Sequence, residues 1–392
     1  MLAYYASRDL VPLYSVYSLL FRDHGLSVAQ TSSLFVIWSI ASFVFEVPSG
    51  AWADVVDRRR LLVLSAVVYA LGFGAWTVGS SYAAFALGFV LWGLSSAMMS
   101  GTFESLLYDE MVARGAKAGY PRLVGRAQSS AMVANLLASV SAAPLFAWGG
   151  YALVGWVSVG IAGLQALLAA TLPVTTHRRP VDAGAVAEAT ERMLVRYVAM
   201  LRAGVREAST EPGVRRALLV AAFVVGASAY DEYFPLVARD HHVATSVVPW
   251  LIGLTVVGQV VGTALAGRTA TMSAATMGWL VASGGLLVSI GALAPPWVGF
   301  TAIAVGYGLL NNAMVVTETR LQQVITGPAR ATVTSVLGLA EELVALSVYA
   351  SFAVASGALS VPVMVALLGV PMVVLGLVVR RRLPDPPDTP SG

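Results

Sequence analysis

The sequence predicts an all-α membrane protein, with twelve transmembrane helices in two pseudo-symmetric halves of six. Three observations carry that expectation. Of 392 residues, 57% are hydrophobic and only 11% are charged, against about 25% charged in soluble domains. The apolar residues form long, unalternating runs, which suit helices whose backbone groups are satisfied within the span. The 24 Lys and Arg also separate by side of the membrane once the runs are counted.

The expected spans cover 2–21, 29–52, 60–80, 83–108, 122–147, 150–172, 214–237, 246–267, 273–294, 296–318, 331–356 and 359–379. Span 1 has no basic n-region and carries Arg8 and Asp9 inside it, so it reads as a retained helix and not a cleaved leader. Short connections are marked by Asp23-His24-Gly25, Gly149-Gly150, Pro295-Pro296 and Gly327-Pro328. Span 2 ends at Glu46-Val47-Pro48-Ser49-Gly50, and span 3 follows Asp57-Arg58-Arg59-Arg60. With that basic loop placed in the cytoplasm, every Lys and Arg except Arg8, Arg22 and Arg239 lies inside. Both termini are then cytoplasmic, and the expected location is the inner membrane of a cell.

The chain therefore divides into an N-terminal bundle (1–172), a cytoplasmic linker (173–213), a C-terminal bundle (214–382) and a cytoplasmic tail (383–392). The linker opens with Pro173 and His177-Arg178-Arg179. It continues as a helical pattern with Leu194, Val198, Leu201 and Val205 on one face and Arg192, Arg196, Arg202 and Arg206 on another. Such a helix lies on an anionic membrane surface or simply joins the halves in solvent. The halves echo one another faintly: Glu104 and then Arg126 in the first, Glu318 and then Arg330 in the second.

Ionisable groups within spans are costly, at about 2.5–3.5 kcal/mol each on insertion scales, and they face a cavity or a partner. The set is Arg8 and Asp9 in span 1, Glu46 in span 2, Glu104 in span 4, Asp231 and Glu232 in span 7, and Glu341 and Glu342 in span 11. On a continuous helix, Arg8 and Asp9 would point about 100° apart, so at least one needs a partner elsewhere. A carboxylate removed from water takes up a proton more readily, so these acids are candidates for proton exchange as well as for static pairing. Glu341 and Glu342 fall near the middle of their span. Asp231 and Glu232 fall nearer an outer end, where reaching the surface is the alternative. The amides Asn311 and Asn312 are candidate cavity ligands or interhelical hydrogen bonds, and Gly258-x-x-x-Gly262 marks close helix packing. Asp54, Arg58, Asp109 and Arg126 can form an ion-pair cluster at the inner helix ends, made in one state and parted in another.

Several classes are set aside. Without cysteine, thiolate chemistry and disulfides are absent. Four histidines without a His-Glu-x-x-His pair do not make a metal site. No phosphate-binding Gly-x-x-x-x-Gly-Lys loop is present, so ATP is not the energy source, and no cofactor is expected beyond a proton gradient. The net charge of +3 is distributed by membrane side and does not indicate nucleic acid.

Gly50-Ala51-Trp52-Ala53-Asp54 followed by Arg58-Arg59 resembles the signature loop of the major facilitator superfamily, with Val55 where a basic residue is usual and Asp57 where a glycine is usual. The resemblance covers essentially the whole chain. It implies two six-helix bundles, a monomer in the lipid bilayer, and rocker-switch access to a cavity lined by spans 1, 4, 7 and 10. It also implies an inner gate at Gly50, Asp54, Arg58 and Arg59 with Asp109 and Arg126 as partners. Phe45 to Gly50, Gly101-Thr102-Phe103-Glu104, Tyr108-Asp109-Glu110 and Arg330-Ala331-Thr332-Val333 resemble a bacterial drug-exporter-like branch. The antiporter signature of span 5 is degenerate, reduced to Ala142-Ala143-Pro144 and Gly149-Gly150.

The expected function is proton-coupled export of small amphipathic or cationic organic molecules. Buried acids outnumber the one buried base, Arg8, and this suits protons and cations. A proton-coupled importer of a sugar or organic acid is the alternative, and a non-transporting receptor is a third reading.

Overall fold

A computed structural model describes residues 1–174, 183–324 and 330–382. His177-Arg178-Arg179, the Gly327-Pro328 turn and the 383–392 tail lie outside them. All regular structure among the described residues is helical. Ten stretches are long and apolar enough to cross a membrane, by length and composition alone. One of them, Lys117–Ala170, bends at Gly149–Gly150, where Gly150 takes φ 57°, and supplies spans 5 and 6. Span 1 is too interrupted to qualify and completes the twelve.

The chain forms two compact units, Met1–Val198 and Ala199–Gly392, divided within the linker helix Ala183–Thr210. In the first unit, span 2 (Val28–Val55) packs on span 4, and span 3 (Arg58–Val78) packs on spans 4 and 6. The second unit repeats this: span 8 (Val248–Thr269) packs on span 10 (Pro296–Val324), and span 9 (Ala274–Leu293) on spans 10 and 12 (Val361–Arg382).

Span 1 is not the continuous helix expected over 2–21. It consists of a helix at Leu2–Ser7, a 3-10 turn at Pro12–Ser15 and a helix at Tyr17–Asp23. Pro12 supplies no N–H, and the residue before a proline is driven out of the helical region. Val11 is accordingly extended at φ −109°, ψ 102°. The freed Leu13 N–H donates to Ser158 Oγ on span 6 at 3.1 Å, which meets the demand that backbone groups at membrane depth find partners. Arg8 and Asp9 thus sit beyond the first helix, and the 100° separation expected on a continuous helix does not apply to them.

Span 7 is broken in the corresponding place. Pro212–Ala227 gives way to a 3-10 stretch, Ser228–Tyr233, and then Phe234–Asp240. Pro235 lacks the N–H that would bond the Asp231 carbonyl in a continuing helix. The two short helices after the breaks have equal length and end alike, on Arg22-Asp23-His24 and Arg239-Asp240-His241. Both endings close with the same pair of backbone bonds. Gly25 N–H donates to Arg22 O and Leu26 N–H to Phe21 O; His242 N–H donates to Arg239 O and Val243 N–H to Ala238 O. Gly25 adopts φ 86° here, and His242 adopts 60° at the same position. Each aspartate then ties its broken span to another helix. Tyr151 OH donates to Asp23 Oδ2 at 2.5 Å, and Val361 N–H donates to Asp240 Oδ2 at 3.1 Å.

Span 4 is also interrupted. Tyr82–Met99 stops before Gly101, which takes φ 68°, and the chain resumes at Thr102–Ala113. A glycine carries this left-handed residue without the cost a side chain would add.

The core of the first unit is aromatic. Phe21, Phe35, Trp76, Phe85 and Phe89 are fully buried, and Trp76 Nε1–H donates to Phe85 O at 2.9 Å. The second unit packs through small residues, as helices in lipid do when their backbones approach closely. An added Cβ at Gly258 would stand 2.0 Å from Ala304 O, and one at Gly262 1.9 Å from Gly308 O.

Candidate functional site

The break in span 7 carries two adjacent carboxylates, Asp231 and Glu232, within the 3-10 stretch. Both are half-buried, and neither is an exposed residue at a helix end. Tyr307 on span 10 donates its hydroxyl to Asp231 Oδ2 at 2.5 Å. Tyr230, 2% exposed, packs its ring 6.3 Å from that of Tyr307. Asn311, one turn along span 10, donates from Nδ2 to the Tyr307 carbonyl at 2.9 Å. No Lys or Arg among the described residues forms an ion pair with Asp231 within 4 Å. A hydroxyl, not a cation, therefore holds the Asp231 carboxylate.

Span 11 (Arg330–Ala355) brings Glu341 and Glu342 to the same unit. A Cβ on Gly226, just before the span 7 break, would fall 2.3 Å from the Glu341 carbonyl oxygen. The missing side chain thus lets the two helices touch beside their acids. Glu342 Oε1 is buried without a hydrogen-bond partner. Asn312 is fully engaged in packing: Nδ2 donates to Gly262 O at 2.9 Å and Oδ1 accepts from Thr269 OH at 2.9 Å. It fastens span 8 to span 10.

In the first unit Arg8 and Asp9 do not form an ion pair within 4 Å. Arg8 donates to Ser96 Oγ at 2.7 Å and to Ser95 Oγ at 3.4 Å, and it lies 4.7 Å from the centroid of the Tyr69 ring. Tyr69 OH donates to the Arg8 carbonyl at 3.0 Å and is hydrogen-bonded to Tyr14 OH. Tyr14 stacks on Trp92 at 5.0 Å, and Trp92 lies 5.1 Å from Trp38. Glu104 occupies the first turn of the helix after Gly101, where the helix N-terminus favours an anion. One of its oxygens is buried without a partner.

At the arginine-rich ends, Arg58 forms an ion pair with Asp109 across spans 3 and 4. Asp57, at the position where the signature loop has glycine, caps span 3 by accepting the Arg60 N–H at 3.1 Å. Arg59 Nη1 donates to the Ala170 carbonyl at 3.5 Å. Arg126 is exposed and joins neither Arg58 nor Asp109, so the expected four-residue cluster is reduced to one pair, with the Asp54 side chain outside the described residues. Glu46 is exposed on span 2. Below it the linker helix covers this face: Tyr197 meets Phe43 at 6.4 Å, and Met193 stands 3.1 Å from a Cβ built on Gly50.

Tyr307, Tyr69, Ser95 and Ser96 were not among the expected site residues. Hydroxyl partners leave no charge signal in a sequence. Tyr307 does stand one helical turn before Asn311, which was. The repeated Arg-Asp-His ending was a readable sign that spans 1 and 7 correspond.

Among solved structures, the chain resembles a bacterial homolog of the human lysosomal transporter Spinster, captured inward-facing and unoccupied. The match has a TM-score of 0.67 at 16% identity, covering 97% of this chain and 95% of that one, and it shows the shared fold. No curated protein matches significantly. The family described as the Major Facilitator Superfamily matches residues 1–348. That match spans most of the 392 residues, and the chain therefore belongs to the Major Facilitator Superfamily and is a membrane transporter.

Proposed function

We propose that this transporter exchanges protons for small amphipathic organic molecules, exporting them by alternating access. The observation that carries the reading is the span 7 break, where Asp231 and Glu232 lie side by side at membrane depth and Asp231 is held by the Tyr307 hydroxyl with no cation within 4 Å among the described residues. A carboxylate out of water with no cation beside it takes a proton readily and gives it up again when water returns. A break in the helix gives such a group room to change partners, as in transporters whose discontinuous helices carry coupling ions.

With these acids assigned to protons, they no longer argue for a cationic substrate. The partly exposed Tyr14, Trp38 and Trp92 in the other unit suit an apolar or aromatic body. Export rests on the resemblance of Phe45 to Gly50 and of the span 4 residues to drug-exporter sequences.

The test uses sealed vesicles containing the purified protein, an imposed proton gradient, and a panel of amphipathic dyes of both charges. Dye movement against the proton flux that Asp231→Asn abolishes supports the reading. Proton uptake triggered by an added sugar or organic acid, with both moving the same way, overturns export and makes the chain an importer.

A further inference from the structure

We propose that Arg8 is the specificity residue of this transporter and receives an acidic group, a carboxylate or a phosphate, on an amphipathic substrate. The inference deepens the transport reading and rests on it for the word substrate.

A guanidinium at membrane depth needs an anion or a full set of hydrogen bonds. Arg8 has neither. No carboxylate among the described residues lies within 4 Å of it. Its contacts are two neutral serine hydroxyls and the face of Tyr69. Two of the five N–H groups of an arginine are thereby engaged. Arg8 is half-buried, not sealed, so the remaining donors are within reach of a ligand.

The serines and Tyr69 do a second thing: they fix where the fork sits. Ser95 is fully buried and is itself held by Ser65, whose hydroxyl donates to the Ser95 carbonyl at 2.9 Å and lies 3.1 Å from Ser95 Oγ. Tyr69 is held at its hydroxyl by the Arg8 carbonyl and by Tyr14. A positioned arginine fork matches a carboxylate or phosphate bidentately, and its planar charge is less costly to desolvate than an ammonium.

Beside the fork runs an aromatic shelf. Tyr14 leads from Tyr69 to Trp92, and Trp92 leads to Trp38; all three are partly exposed. Trp38 Nε1–H has no hydrogen-bond partner although it is buried. Buried indole N–H groups usually find one, so this donor is left unsatisfied within the shelf. A positioned cation next to a shelf with a spare donor fits a molecule with an acidic head and an aromatic or apolar body.

The experiment is equilibrium binding to the purified full chain in detergent, with no gradient applied. The probes share one body: 1-naphthaleneacetate, its methyl ester, 1-naphthyl phosphate and 1-naphthylmethylamine. The acid or the phosphate is expected to bind at least ~10-fold tighter than the ester and the amine, and whichever is tighter identifies the head group. Arg8→Gln should bring the acid down to the affinity of the ester and leave the ester unchanged. Arg8→Lys, which keeps the charge and loses the fork, should fall between and serves if Arg8→Gln does not fold. A tighter amine, an Arg8→Lys loss shared equally by acid and ester, or no acid binding at millimolar concentration overturns the proposal. Acid binding without any gradient-driven movement would leave this inference standing and sink proton coupling. Gradient-driven movement of the amine but not the acid would do the reverse.

Discussion

Adding one methyl group at Gly262 probes the closest helix contact in the second unit. The new Cβ would stand 1.9 Å from Gly308 O, while ordinary contact begins near 3.4 Å. Spans 8 and 10 must therefore part by about 1.5 Å, and backbone on both sides leaves no flexible side chain to yield. Overpacking of this kind costs about 1–3 kcal/mol. Parting the helices also stretches the 2.9 Å bond from Asn312 Nδ2 to Gly262 O, worth about 0.5–1.5 kcal/mol. The combined loss of about 1.5–4.5 kcal/mol corresponds to roughly 3–18 °C in thermal midpoint for a unit of this size. Gly267→Ala is the control: it sits in the same helix with nothing within 4 Å of an added Cβ. Its expected effect is none, or a slight gain from helix propensity. Thermal unfolding of the two variants in one detergent decides the matter. A Gly262→Ala midpoint within about 2 °C of Gly267→Ala refutes the argument from close approach.

Three further outcomes are expected. Tyr307→Phe removes a hydrogen bond to a carboxylate, worth about 1.5–3 kcal/mol when the acid is charged, and should slow proton-driven transport roughly 10-fold or more. Tyr230→Phe, whose hydroxyl has no partner, should leave the rate near wild type; equal effects in vesicle transport would detach the result from the Asp231 bond. Exchanging Arg58 and Asp109 should recover most of what Arg58→Asp alone loses in transport rate, and since the pair is partly exposed, its worth in thermal stability should stay below about 1 kcal/mol and fall with salt. Asp23→Asn and Tyr151→Phe should each lower the thermal midpoint, with the double variant no worse than either single one; additive losses would mean that the two side chains act separately.

Much of the architecture was legible because hydropathy and arginine placement are collective signals. The twelve crossings and the close approach around Gly258 and Gly262 follow from residue type and spacing. The interruptions were less legible. A hydropathy count is blind to a missing N–H at Pro12 or Pro235, and Gly101 scores like any small residue. The site was partly legible for the same reason. Charged residues in apolar runs announce themselves, and this singled out Arg8, Asp231 and Glu232. What holds them does not: Ser95, Ser96, Tyr69 and Tyr307 are ordinary residues in their helices, and tertiary contact alone gives them their roles. Asn312 shows the converse, an amide conspicuous in sequence that a neighbouring Gly262 carbonyl and Thr269 fully occupy.

The anchors at the ends of the two broken helices differ in how they would tolerate genetic drift. Asp240 is tied to the main-chain N–H of Val361, a group every residue but proline offers, so nineteen of the twenty amino acids at position 361 preserve that donor. The Asp23 bond to the phenol of Tyr151 is one that a single change to phenylalanine erases. The duplicated halves thus carry the same fastening in a robust and a fragile version. Position 151 should vary in concert with position 23 among descendants of this chain, whereas position 361 should wander independently of 240.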